Sequence, residues 1–328
     1  MLRFKIIILI LFIVSNSGFA QKKKIAYCSN QSGSGYLQIF IMNEDGSEKK
    51  QLTDLSENCK KPQWSPDGKQ IVFYTDAGSC YLIKDVDSVT SKKVPSYLCA
   101  GNNPSFMSDG SQIMFNDEYE SVLSIFAIDT SAGSEPNIIS DGRYSNMQSI
   151  TKGGNKIYYS GFINGYKCIM VADLDDTTEN SITKISKNSE ANLEPDVSFD
   201  DLKVTYASFD DNLKGTIRIF ENGKESALSK GLPSSNVPRF SPDGSKIAFV
   251  IIDGNNVSLY VMGSDGSGKN NLSVKGGDVG TFQWMDNDRI VYDAGSETKT
   301  VIGIINISTG ENKIIAEGGF NLQPGVQK

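Results

Sequence analysis

The sequence predicts an all-β protein, specifically a seven-bladed β-propeller that is closed by a C-terminal strand joining the first blade. Three observations support this fold. A module of about 44 residues recurs along the chain, each copy places a Pro/Asp/Gly turn between short apolar segments, and no stretch of ten residues shows helical spacing after the N-terminal segment. A period in the forties with several strands per unit is typical of propellers.

The repeat is clearest in three segments, Pro62–Phe73, Pro104–Phe115 and Pro238–Phe249. Weaker copies are found at Met147–Tyr159, Pro195–Tyr206 and Phe282–Tyr292. A partial copy at Ile25–Tyr27 lacks the segment before strand b. The β-branched residue after each turn recurs at steps of 46, 42, 44, 47, 43 and 43 residues, which gives seven units. Six complete blades preceded by an N-terminal extension are the alternative.

Each unit is expected to contain four strands, named a to d. In the second unit, strand a covers Gln63–Ser65 and strand b covers Ile71–Tyr74. The turn between them, Ser65–Gly68, has proline to preset φ and Asp-Gly to allow positive φ. Strand c alternates, as in Leu37–Met42 and Val257–Met262, and strand d is short and polar, as in Lys49–Thr53 and Lys269–Ser273.

The two ends of the chain are expected to share one blade. The repeats begin at strand b, and Phe320–Gly325 occupies the position of a strand a after strand d at Lys313–Ala316. This segment is therefore predicted to complete the first blade, which would pair edges that are otherwise open to aggregation.

Residues 1–20 resemble a secretory signal. Arg3 and Lys5 precede the apolar stretch Ile6–Val14, and small residues lead to Ala20. Nine apolar residues are too few to span a bilayer as a helix. We therefore expect a periplasmic or secreted protein, with residues 21–328 forming a single propeller domain and no membrane span after cleavage.

Composition excludes several classes of function. Histidine is absent, so imidazole-based nucleophiles, bases and zinc sites are absent as well. Removing two of the 32 basic residues with the signal leaves 30 against 39 acidic ones, a net charge of −9. A net acidic chain is a poor ligand for nucleic acid, which it repels.

Five cysteines in an exported chain allow disulfides and leave at least one thiol over. Cys80 is expected to open strand c and Cys99 to close strand d of the second blade, so this is the first predicted pair. Cys28 with Cys59 is the second, and Cys168 is left over. Other connectivities stay open.

The residue just before each strand a is expected to line one mouth of the central tunnel, where propellers usually bind ligands. The predicted binding residues are Lys61, Asn103, Asn146, Glu194, Val237, Thr281 and Gln323, with Arg143 and Tyr144 in the adjoining loop of the fourth blade. This ring is mostly polar and neutral, so a hydrated channel is the alternative interpretation.

Recurrent aspartates could be mistaken for catalysts. Asp67, Asp109 and Asp243 lie in the predicted turns, where such side chains bind nearby backbone N–H groups. No catalytic, cofactor-binding or metal residue is therefore predicted. Calcium stays possible at the acidic clusters, with the Asp210-Asp211 pair the better candidate.

The Pro-x-aromatic-Ser-Pro-Asp-Gly-x-x-Ile-x-Phe unit at Pro62–Phe73, Pro104–Phe115 and Pro238–Phe249 resembles the PD40, or TolB-like, WD40-related propeller repeat. The resemblance covers essentially the whole predicted mature chain. It implies the propeller fold, and in TolB itself the propeller docks a peptidoglycan-associated lipoprotein. The N-terminal α/β domain of TolB and the hydrolase domain of prolyl oligopeptidase-like enzymes have no counterpart expected here. Nor does the sequence supply the histidines of oligogalacturonate lyases.

Two functions are in competition. The leading hypothesis is an exported, non-enzymatic scaffold that binds an envelope protein or peptide. The alternative is a carbohydrate-binding or polysaccharide-lyase-like propeller that uses Lys or Tyr as base.

Overall fold

The computed structural model describes residues 23–88, 96–130, 134–140, 146–175, 182–187 and 190–327. Within them, 28 strands form seven antiparallel four-stranded sheets, so the seven-bladed propeller is confirmed and the six-bladed alternative is wrong. Strand a is innermost in each blade, since strands a of most neighbouring blades contact one another. The predicted signal at residues 1–20 lies outside the described residues.

The strands follow in chain order, blade by blade. Blade 1 contains β1 (Lys24–Ser29), β2 (Gln38–Asn43) and β3 (Lys50–Gln51); blade 2 contains β4 (Cys59–Trp64), β5 (Ile71–Thr75), β6 (Ser79–Ile83) and β7 (Ser96–Ala100); blade 3 contains β8 (Asn102–Phe106), β9 (Gln112–Tyr119), β10 (Val122–Asp129) and β11 (Asn137–Ile138); blade 4 contains β12 (Asn146–Ile150), β13 (Lys156–Ile163), β14 (Tyr166–Asp173) and β15 (Ile182–Lys184).

The remaining blades continue in the same way. Blade 5 contains β16 (Ala191–Val197), β17 (Lys203–Phe209), β18 (Gly215–Glu221) and β19 (Lys224–Ala227); blade 6 contains β20 (Ser234–Phe240), β21 (Lys246–Asp253), β22 (Asn256–Gly263) and β23 (Asn270–Asn271); blade 7 contains β24 (Asp278–Trp284), β25 (Arg289–Gly295), β26 (Thr300–Asn306) and β27 (Asn312–Ala316); β28 (Asn321–Val326) belongs to blade 1.

Two strand lengths differ from the prediction. Strand a starts earlier than expected, because β4 begins at Cys59 and pairs with β5 on both sides of a bulge. Strand d is shorter than expected in blades 1 and 6, because β3 and β23 have two residues each instead of five. Strand d is the outermost strand of its blade, so little burial favours extending it.

The a–b turns show why Asp recurs there. Ser65 Oγ donates to Asp67 Oδ1 at 2.6 Å, and Asp67 Oδ1 also accepts the Lys69 N–H at 3.1 Å. These hydrogen bonds keep the pKa of Asp67 below its usual value. Gly68 follows with φ of 69°, a conformation that glycine adopts without a Cβ clash. The turn role predicted for these aspartates is confirmed.

The core is divided into seven apolar clusters among the described residues, one at each junction between neighbouring blades. The aromatic residue of strand b is almost completely buried in every blade. These residues are Tyr27, Phe73, Phe115, Tyr159, Tyr206, Phe249 and Tyr292. One aromatic side chain per repeat thus fills each wedge-shaped junction.

The C-terminal strand closes the ring as predicted. β28 pairs antiparallel with β1, with Ile25 opposite Val326 and Ser29 opposite Asn321. Asn321 is fully buried, and its Oδ1 accepts a 2.9 Å hydrogen bond from Ser29 Oγ. The chain ends therefore share one sheet.

All five cysteines are buried free thiols in this structure, so neither predicted disulfide is formed in it. Cys80 and Cys99 are nevertheless directly opposite each other on β6 and β7. Cys28 and Cys59 share the apolar cluster between blades 1 and 2. Both pairings stay predictions.

Candidate functional site

Each strand a bends at a β-bulge, and the predicted tunnel residues lie at these bulges. The ladder from β4 to β5, for example, shifts register between Lys60 and Gln63, around Lys61. Five of the predicted residues have φ between 47° and 58°, a left-handed conformation that is uncommon outside glycine. They are Lys61, Asn103, Glu194, Val237 and Gln323. A bulge re-aims the chain locally, which gives these residues a common position around the ring.

Hydrogen bonds join this ring from blade to blade. The Lys61 N–H donates to Gln323 Oε1 at 2.7 Å, and Lys61 Nζ donates to Asn103 Oδ1 at 2.9 Å. On another side of the ring, the Val237 N–H donates to Glu194 Oε2 at 2.8 Å. The structure therefore brings these five predicted residues together as neighbouring pairs.

Thr281 belongs to the same ring through a residue that the sequence analysis missed. Thr281 Oγ1 and the Gln323 N–H both donate to Asp293 Oδ1 on β25, the latter at 2.9 Å. Asp293 is only 2% exposed, and burial raises its pKa to about 6. The other strands b place an uncharged residue at this position, and that contrast is the signal that could have revealed Asp293.

Charged side chains influence one another at the mouth. The Lys61 ammonium is surrounded by protein although its side chain reaches solvent, and this burial lowers its pKa. The positive charge of Arg239 lowers it further, while Glu194 opposes this effect. Lys61, Arg239 and Glu194 therefore interact electrostatically around the mouth.

Asp196 is the second acidic residue that the sequence analysis missed. Burial raises its pKa, and Arg239 opposes that shift. Asp196 Oδ2 accepts the Phe240 N–H at 2.7 Å, so the side chain joins strand a of blade 5 to strand a of blade 6. The mouth thus offers amide, carboxylate and ammonium groups, a set suited to hydrogen bonding with a polypeptide.

Part of the predicted site falls elsewhere. Arg143 and Tyr144 lie outside the described residues, and for Asn146 only the backbone, at the start of β12, lies within them.

Among the residues that the structure describes, no group of three acidic or cysteine side chains could hold a metal ion. Asp210 Oδ1 instead accepts the N–H groups of Asn212 and Lys214 in its own loop.

Exposed apolar side chains lie on the face that carries the b–c hairpins, where strands a begin. Leu213 is 78% exposed and Phe162 is 43% exposed. The full set on these hairpins is Tyr36, Tyr119, Phe162, Tyr166, Leu213 and Ile252, and we call it the hairpin rim. They are distributed over the b–c hairpins of blades 1, 3, 4, 5 and 6. No helix in the described part of the chain could cross a membrane.

The fold and the repeat are those of a known family. The TolB beta propeller domain family, PD40, matches residues 12–196, more than half of the sequence. The chain belongs to this family. The resemblance inferred from the repeat is confirmed, and the TolB-like propeller described here has the bladed ring that the resemblance implies.

Several known proteins are similar to this TolB-like propeller. Dipeptidyl-peptidase 5 of Porphyromonas gingivalis is 24% identical over 301 residues, which are 86% of this chain and 44% of the peptidase. The chain thus spans less than half the length of that relative. The crystal structure of TolB from Acinetobacter baumannii matches with a TM-score of 0.60 and 17% identity, covering 93% of this chain and 66% of that one. A puromycin hydrolase structure matches with a TM-score of 0.71 and 13% identity, covering 90% and 52%.

These similarities correct one expectation. The prediction that the chain is not an enzyme is contradicted. A peptidase is similar to the chain over 86% of its length, and a hydrolase structure shares its fold. The prediction rested on the lack of histidine and of a catalytic constellation in the sequence, and on the expectation that no hydrolase domain is attached to the propeller. Since one fold serves several activities, the propeller alone does not separate binding proteins from peptidases.

Proposed function

We propose that this propeller is exported and binds a polypeptide partner of the cell envelope on the face that carries the tunnel mouth and the hairpin rim. The single observation that carries the proposal is the hairpin rim, because six large apolar side chains are exposed on that one face. Burying apolar area is the main driving force of protein association. The polar ring beside it supplies the hydrogen bonds that orient a partner.

The similar proteins support a polypeptide ligand in particular. One of them is a peptidase by name, and peptidases act on polypeptides. No observation favours a glycan over a polypeptide, and the carbohydrate hypothesis stays a prediction.

Export rests on the N-terminal residues. Arg3, Lys5 and the apolar stretch Ile6–Val14 predict a signal that is cleaved after Ala20. N-terminal sequencing of the protein recovered from the periplasm or medium should begin at Gln21. A protein that starts at Met1 and stays in the cytoplasm would contradict this part of the proposal.

Docking is tested by charging the hairpin rim. Leu213→Asp combined with Phe162→Asp should weaken capture of envelope proteins at least tenfold, a change of about 1.4 kcal/mol. The matched control is Leu202→Asp, since Leu202 is 66% exposed in an a–b turn on the opposite face. Equal capture by the rim variant and the control would overturn the proposal.

A second candidate is that the propeller holds the substrate of a peptidase. It is favoured by the similarity to dipeptidyl-peptidase 5 over 86% of this chain. Adding the purified protein to envelope extract should then raise the rate of chromophore release from dipeptidyl-nitroanilides above that of the extract alone. An unchanged rate would remove this candidate.

A further inference from the structure

Blade 6, like blades 1 and 3, has an outer strand of only two residues. Strand c, β22, covers eight residues from Asn256 to Gly263, whereas strand d, β23, covers only Asn270–Asn271. β23 pairs with Tyr260 and Val261. The outer edge of β22 from Asn256 to Leu259 therefore has no neighbouring strand. Such an edge presents backbone groups to another chain.

A cavity occupies the place where a longer strand d would run. Its volume is about 760 Å³, within the range of ligand-binding clefts. It is lined by Val257, Ser258 and Leu259 of β22, by Gly276 and Gly277 before β24, and by Ser296 after β25. The groove thus follows the open edge.

Other blades close the corresponding edge with a hydroxyl group. The strand c amide next to the end of strand d donates to a Ser or Thr hydroxyl at 2.8 to 3.1 Å in blades 1, 3, 4 and 5. The pairs are Ile39 with Thr53, Ile125 with Ser140, Ile169 with Ser186 and Ile217 with Ser229. This cap gives a hydrogen-bond acceptor to a strand c amide that the short outer strand does not pair.

In blade 6 the cap is missing although the serine is present. Leu272 donates its N–H to the Leu259 carbonyl, as in the capped blades, so the next residue, Ser273, is the expected cap. Ser273 has φ of 46°, and its own N–H is bound by Asn271 Oδ1 at 2.7 Å. Within residues 190–327, which the structure describes without a gap, no hydroxyl caps the Leu259 amide.

The groove is also acidic. Asp253 and Asp278 line it, and no Lys or Arg does so among the described residues. Asp278 Oδ1 accepts the Val257 N–H at 2.8 Å, which holds the carboxylate beside the open edge. A ligand with a cationic side chain matches this charge.

We propose that this groove binds an extended polypeptide segment containing lysine or arginine, which adds an outer strand to blade 6. A carbonyl of the bound segment accepts the Leu259 N–H, and its cationic side chain pairs with Asp253 and Asp278. Main-chain hydrogen bonds supply affinity in such strand addition, while alternate side chains supply specificity. The groove is separate from the tunnel mouth and the hairpin rim, apart from Ile252 beside Asp253 at the same hairpin.

Selection from a phage-displayed library of random dodecapeptides tests the proposal. We expect enriched sequences to be rich in β-branched residues with at least one Lys or Arg. A fluorescein-labelled enriched peptide should bind the double variant Asp253→Asn, Asp278→Asn at least tenfold more weakly. Asparagine at position 278 keeps an acceptor for the Val257 N–H, so the fold should persist, as thermal melting would verify.

Two controls separate this site from the rest of the molecule. Asp211→Asn removes an exposed charge in the b–c loop of blade 5, and Leu213→Asp disrupts the hairpin rim; both should leave peptide binding unchanged. Hydrogen exchange should slow at Asn256–Tyr260 when the peptide binds. Failure to enrich any peptide, equal binding to the folded double variant, or protection elsewhere would each overturn the proposal. None of these results depends on the hairpin-rim docking test.

Discussion

The backbone N–H of Gln323 donates a 2.9 Å hydrogen bond to Asp293 Oδ1. Asp293 lies on strand b of blade 7, and Gln323 lies on the C-terminal strand that completes blade 1. A buried carboxylate therefore joins the last blade to the strand that closes the ring. This relationship makes closure sensitive to the protonation of one side chain.

Asp293 should make stability depend on pH near neutrality. Burial raises its pKa to about 6 from 3.8, so the folded protein holds the proton more tightly than the unfolded chain. This contribution to stability is fully present below about pH 4 and is lost as the pH rises through about 6. Relative to Asp293→Asn, the free energy of unfolding of the wild type should fall by about 3 kcal/mol between pH 4 and 8.

Denaturant unfolding of both proteins at several pH values measures this difference. Asp211→Asn serves as the control, because it alters an exposed acid and should give a constant offset. Parallel pH curves for wild type and Asp293→Asn would contradict the assignment.

The closing strand should be essential for stability. Deleting residues 321–328 removes the pairing with β1 and exposes Ser29 and Thr300, which both hydrogen bond to Asn321. We expect the truncated protein to aggregate or to melt at least about 10 °C lower, since a loss of 1 kcal/mol already shifts melting by about 2 °C in a chain of this size. The milder Asn321→Ala variant should lose about 1 to 3 kcal/mol by leaving buried partners unsatisfied.

Circular dichroism melting checks both variants. Removal of Lys328 alone is the control and should have no effect. Unchanged melting after the full deletion would show that the ring does not need this strand.

Cys80 and Cys99 should form a disulfide in the exported protein. They face each other across β6 and β7, and a bond closing a loop of this length is worth about 3 kcal/mol. The neighbouring Cys99 thiol and burial both raise the pKa of Cys80, so alkylation of the folded, reduced protein should be slow.

Peptide mapping without reductant, after denaturation in iodoacetamide, decides the pairing. The peptides that contain Cys80 and Cys99 should be linked, whereas the Cys168 peptide should be alkylated. Alkylation of all five cysteines would rule out the bond.

The aspartate of the a–b turn should stabilise its blade. Partial burial raises the pKa of Asp243, but hydrogen bonds from Ser241 and Ser245 outweigh this and lower the pKa to about 2. Asp243→Ala should therefore cost about 1 kcal/mol at pH 7, a modest value because the side chain is exposed. This contribution exists above about pH 4 and disappears as the pH falls through 2.

Chemical denaturation at pH 7 measures the loss. Asp211→Ala is the matched change outside such a turn and should cost less than about 0.5 kcal/mol. Equal losses in the two variants would mean that the turn hydrogen bonds add nothing.

Much of this architecture could be predicted from the residues because its signals are local. The turn Ser65–Gly68 and the apolar strand Ile71–Thr75 recur at a constant spacing, and spacing alone gives the number of blades. The closing strand was predictable too, since Phe320–Gly325 occupies a position that the repeat defines. Five ring residues were found by the same register argument.

Tertiary structure decided the features that depend on distant partners. Asp293 is a buried acceptor only because Gln323 arrives from the far end of the chain. Ser273 has the sequence context of a strand cap, yet its left-handed backbone leaves Leu259 open to a groove shared with blade 7. Repeating units determine a fold by their spacing. Burial and hydrogen bonding arise only when separate blades meet, so no single repeat encodes them.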